Sequence, residues 1–214
     1  MPCPPPSPKA KPKSPPKMPL KANAQRLKPK TDVYSLPNSQ QHLTPNNDPL
    51  RFVRHYPAHI IEQVNQLMQQ QKLAQQLLQR YPLIHDIRSD KALYDYTMQF
   101  KQTYLRQSAP LTKVVFDDKI NLSHHALGLH RYVNRRQGHK LKATNEIRIS
   151  SRLRRIPEPL LRMVVVHELA HLKEKEHNKA FYQLCCLMET NYHQLEFDMR
   201  LLLICEALET SPYP

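Results

Sequence analysis

The chain has 214 residues, with 32 Lys and Arg against 18 Asp and Glu, 20 Pro, 4 Cys, 2 Gly and a net charge of +14. Two glycines, Gly128 and Gly138, exclude collagen-like chains, Gly-rich phosphate loops and dinucleotide fingerprints, which need several glycines at fixed spacing. The cysteines form no Cys-x-x-Cys pair, and no apolar run approaches the ~18 residues of a membrane span, so a disulfide framework and a bilayer helix are excluded and a cytoplasmic protein is predicted.

Residues 1–50 are predicted to be a disordered basic tail rich in Pro and Lys, and residues 51–214 the folded domain. Fourteen prolines fall between Met1 and Pro57, where 10 basic side chains meet 2 acidic ones. So few large apolar residues cannot offset the entropy of ordering, which leaves local polyproline II. The tail reads either as a solubilising extension or as an arm making weak, non-specific nucleic acid contacts at low salt.

Folded character begins near Pro57. Ile60, Ile61, Val64, Leu67, Met68, Ala74, Leu77, Leu78 and Tyr81 recur at three and four residues with Gln on the other face, which predicts one amphipathic helix ended by Tyr81-Pro82. A second helix is predicted from a Ser89 or Asp90 cap to Gln107. The period then changes: Lys113–Phe116, Leu127–Val133 and Lys140–Ile149 read as strands of a small, mainly antiparallel sheet. Pro157 and Pro159 suit a first helical turn, and Leu160–Glu174 is a helix apolar enough around its first half to require burial. Helices over Lys179–Glu189 and about Gln194–Glu209 complete an α+β domain.

The buried helix contains His167-Glu168-Leu169-Ala170-His171. Four residues advance 400° on a helix, so His167 and His171 share one face, one turn apart, while Glu168 lies beside the point they converge on. His177, six residues on, would face away from a continuous helix. Lys173-Glu174-Lys175-Glu176 is polar enough to end the helix, and Asn178 is a favoured cap for the next, which places His177 at a turn able to fold back as a third ligand. Two imidazoles among Met163, Val164, Val165, Val166 and Leu169 also need a partner such as a metal ion.

Val164 to Phe181, VVVHELAHLKEKEHNKAF, resembles the signature of the YgjP-like metallopeptidase domain, a small zincin group. The resemblance is specific over Leu160–Phe181 and extends from about Lys113 to Leu203. It implies a zincin-like fold, Zn²⁺ on His167, His171 and His177, and Glu168 as catalytic base. Many members carry an Arg-Trp-Gly-Ser-Cys segment before the helix; this chain has Leu127-Gly128-Leu129-His130-Arg131 there and no Trp.

The function expected on these grounds is zinc-dependent cleavage of peptide bonds in a peptide or protein substrate by a zinc-bound water that Glu168 activates. Two alternatives stand beside it. One is hydrolysis of a non-peptide substrate such as a nucleotide phosphoanhydride, and the other an SprT-like DNA-associated protease. Tyr182, His193, His130 and Arg131 are unranked candidates for stabilising an oxyanion. Cys185 and Cys186 read as core residues, and Arg152, Arg154 and Arg155 as a solvated loop. Substrate identity and oligomeric state have no signature in the sequence.

Overall fold

The computed structural model describes residues 48–120, 128–137 and 140–214, with the side chains of 129–144 outside that description. The predicted tail therefore falls outside the described residues except for its last three positions.

The single helix expected over 60–81 is two helices, α1 (Ala58–Gln69) and α2 (Leu73–Arg80). Gln71 between them takes φ 55°. The N–H groups of Gln71 and Lys72 reach back to the carbonyls of Met68 and Leu67, each at 2.9 Å. This is the Schellman arrangement, normally announced by glycine. Here it is made by the last glutamine in a run of three, so the apolar period carries no mark of it. α3 (Asp90–Tyr104) begins where its cap predicts, Ser89 Oγ accepting from the Ala92 N–H at 3.1 Å.

Strands β1 (Leu111–Asp117), β2 (Gly128–Gln137) and β3 (Lys140–Ser150) form a sheet in the order β1-β3-β2. β2 and β3 pair antiparallel, but β1 and β3 pair parallel, with Val114 opposite Ile147 and Phe116 opposite Ile149. This corrects the mainly antiparallel sheet. Alternation identifies strands without fixing their order, and here the returning arm of the β2–β3 pair inserts beside β1. Register slips between Leu111 and Lys113, which explains two successive exposed residues, Thr112 and Lys113, inside a strand.

α4 (Glu158–Ala170) packs against α3, β2 and β3 on one side and against α5 (Lys179–Met188) and α6 (Tyr192–Ala207) on the other. Leu160, Leu161, Val165, Val166 and Leu169 are wholly buried on it. Each contributes roughly 1.5–3 kcal/mol relative to exposure, so α4 is the axis of the core. α6 is held against α2 through Asp198, whose buried carboxylate accepts from Arg80 at 2.5 and 2.7 Å, from Tyr81 Oη at 2.6 Å and from Gln194 at 3.1 Å. Among the described residues no helix is long and apolar enough to cross a membrane.

Candidate metal centre

α4 ends at Ala170, earlier than the Glu174 expected, and His171 is its C-cap with helical φ. The N–H groups of Leu172, Lys173 and Glu174 still reach Leu169 and Ala170 at 3.0 Å, tightening the last turn. The chain then leaves the helix through Lys175 and Glu176. Asn178 Oδ1 accepts from the Phe181 N–H at 3.0 Å and opens α5. The turn so formed returns the exposed His177 to the end of α4.

Three imidazoles meet there. His177 Nε2 lies 3.2 Å from His167 Nε2 and 3.2 Å from His171 Nε2. One ligand atom from each residue falls within 4.8 Å of the others, a grouping able to hold a metal ion. The far nitrogens are already committed. His167 Nδ1 is 2.7 Å from Tyr192 Oη, and His171 Nδ1 is 3.0 Å from the Glu174 carbonyl. A carbonyl only accepts, so His171 carries its proton on Nδ1 and turns a lone pair on Nε2 inward. A ring proton on His177 Nε2 could at best be shared between two acceptors, whereas a cation satisfies all three nitrogens. The spacing also fits zinc: Zn–N bonds of about 2.0–2.1 Å in a tetrahedron place nitrogens about 3.3–3.4 Å apart.

Burial favours the neutral form of His167 and His171. His167 has its pKa lowered to about 3, mainly by desolvation and then by the neighbouring imidazoles. His171 is shifted the same way, again mainly by burial. Phe181, wholly buried, packs its ring 4.9, 4.7 and 4.7 Å from those of His167, His171 and His177. On this apolar floor His167 and His171, held neutral, are ready to bind a metal without first losing a proton.

Tyr192 is the partner that sequence reasoning missed. Its ring is fully buried, and its hydroxyl is hydrogen-bonded to His167. With Tyr192 Oη accepting the Nδ1 proton of His167, the Nε2 lone pair of that ring is turned toward the other imidazoles. No spacing announces this, because Tyr192 lies 25 residues from His167 and on a different helix. Tyr192→Phe should leave the fold intact and weaken zinc binding about 10- to 100-fold, the usual cost of losing an orienting partner. Competition with a chelating dye measures this, and unchanged affinity would mean that packing alone orients His167.

The other candidates divide. Glu168 is 4% exposed, and its side chain lies against Gly128 of β2. The Tyr182 ring lies 6.4 Å from that of His177, and His193 stands beyond it, 5.4 Å from Tyr182 and exposed. The side chains of His130 and Arg131 lie outside the described residues. Cys185 is buried, and its thiol is pushed up to about 12 by desolvation, as suits a core residue. Arg152 pairs with Glu206 at 3.3 Å and Arg154 lies over the Phe116 ring. Arg154 and Arg155 line a cleft of about 470 Å³ at the opposite end of α4 from the histidines, so it is not the site of the chemistry.

The model of the YgjP-like, metallopeptidase domain matches residues 18–198. The chain belongs to the YgjP-like metallopeptidase domain family. It is 56% identical over 154 residues to a protein of Escherichia coli (strain K12) named UTP pyrophosphatase, across 72% of this chain and 92% of that protein. No solved structure matches the chain. Membership of the YgjP-like family makes the protein a hydrolase, and the metal that a metallopeptidase family implies has three converging imidazoles to receive it.

Proposed function

We infer that the protein is a zinc-dependent hydrolase of zincin-like design that cleaves a phosphoanhydride bond of a nucleoside triphosphate, with UTP the first candidate. The observation that carries this reading is 56% identity across 92% of a relative named UTP pyrophosphatase. At that identity the spacing of site residues and the pocket around them are expected to be shared.

His167, His171 and His177 would hold the ion through their ring nitrogens. When bound, zinc supplies Lewis acidity, lowering the pKa of water and polarising an oxygen of the electrophile. Glu168 takes a proton from the attacking water. The water oxygen bonds to the α-phosphorus, the bond from that phosphorus to the bridging oxygen breaks, and pyrophosphate leaves with the electron pair. Glu168 then gives its proton to the leaving group or to solvent, which balances the reaction as nucleoside triphosphate and water to monophosphate, pyrophosphate and a proton.

Peptide cleavage is the second reading, supported by the His-Glu-x-x-His pattern with its third histidine and by the family's description as a metallopeptidase domain. The same base and the same ion serve a carbonyl carbon as well as a phosphorus, so fold and motif do not separate them. The deciding experiment gives full-length, zinc-loaded protein UTP, the other nucleoside triphosphates, casein and short peptides, each with and without chelator. The expected result is chelator-sensitive release of UMP and pyrophosphate from UTP. New α-amino groups from casein or peptides, with every nucleotide intact, would instead establish the peptidase reading.

A further inference from the structure

Gly128, the first residue of β2, meets α4 at Glu168. A β-carbon built on Gly128 would lie 2.5 Å from Glu168 Oε1, 2.7 Å from Cδ and 2.8 Å from Cγ. Carbon atoms at rest sit about 3.5–4.0 Å apart, so the outer half of the Glu168 side chain occupies the space that any other residue's β-carbon would need. We propose that Gly128 is a positioning residue: its missing side chain is the recess that holds the Glu168 carboxylate in line with the reacting water. The proposal rests on the reading of Glu168 as the base and adds what fixes that base in place.

The direction in which an added methyl would be relieved follows from the surroundings. β2 is held in a ten-residue ladder with β3, and Gly128 stands opposite the wholly buried Ile149. Val165 and Leu169, neighbours of Glu168 on α4, are also wholly buried. Strand and helix therefore resist separation, and the added methyl is accommodated by displacing the Glu168 side chain that it overlaps. His167 and His171 are fixed from the other side by Tyr192 and Glu174 and do not share the displaced atoms. Metal binding should survive while the base moves.

The test is a pair of double-variant cycles on the full chain. Gly128→Ala should lower the thermal midpoint by roughly 2–6 °C when residue 168 is Glu. In the Glu168→Ala background it should cost less than about 1 °C, because the overlapping atoms are gone. Zinc content should stay at one ion per chain throughout. Equal loss in both backgrounds would overturn the proposal, since the crowding would then lie elsewhere. If Gly128→Ala fails to fold but the double variant folds, the contact is demonstrated directly; if neither folds, Gly128 serves the backbone and the proposal fails. This cycle uses no substrate, so it stands whichever bond the enzyme cleaves.

The second cycle reads rates on the substrate found in the screen. Gly128→Ala should lower kcat about 10²-fold, the cost of roughly 1 Å of misplacement, with KM within about threefold. In the Glu168→Gln background the same change should have no further effect. Wild-type kcat in Gly128→Ala, or a loss that multiplies with Glu168→Gln, would overturn the positioning role.

Discussion

Glu168→Gln should bind zinc as the wild type does and hydrolyse its substrate about 10²- to 10⁴-fold more slowly, a rise of roughly 3–5 kcal/mol in the barrier. Holding the ion and moving the proton fall to different residues. The three Nε2 atoms that converge belong to His167, His171 and His177, and none of the contacts among them involves Glu168. Gln keeps the length and shape of Glu, so it fits the recess against Gly128 without new overlap. It cannot take a proton from water near neutral pH. Zinc content and thermal midpoint report the first property and the turnover number the second. Equal turnover by wild type and variant would remove Glu168 from the mechanism for that substrate. The prediction holds for attack on phosphorus and on carbon alike, so it tests the base and not the choice of substrate.

What the sequence discloses about this molecule follows the range over which each signal acts. Asn178 could be named as a cap, and Ser89 as another, because a cap bonds within three residues of itself. The convergence of His167 and His171 follows from helical pitch, and the return of His177 from a polar stretch that cannot stay in the core. Tyr192 and Gly128 are different. Each touches the site from another element, 25 and 40 residues away, and nothing in their own neighbourhood marks the contact. Strand order escaped for the same reason: β1 and β3 are joined through β2, so their parallel pairing is a property of the assembled sheet. The break at Gln71 was hidden by composition, since Gln suits a helix interior and gives no warning of a left-handed residue. The substrate is least legible of all, because one ion and one base serve two kinds of electrophile.

The second large effect is expected at the least buried of the three histidines. His177 is exposed and sits on a turn, which ordinarily marks a side chain that can be removed at little cost. Its Nε2 is nevertheless the atom 3.2 Å from both other imidazoles, closing the triangle from the solvent side. His177→Ala should therefore leave thermal stability of the metal-free protein nearly unchanged and weaken zinc binding by more than the ~100-fold that loss of a supporting partner can cost. Added zinc should raise the midpoint of the wild type strongly and that of the variant little, because stabilisation by a ligand follows its affinity for the folded state. His171→Ala gives the comparison, removing a second nitrogen from the same triangle. Dialysis against a weak chelator, followed by metal analysis, reads both. If His177→Ala kept one zinc per chain while His171→Ala lost it, the third ligand would have to be a carboxylate such as Glu174. The turn after α4 would then serve to present that carboxylate instead of an imidazole.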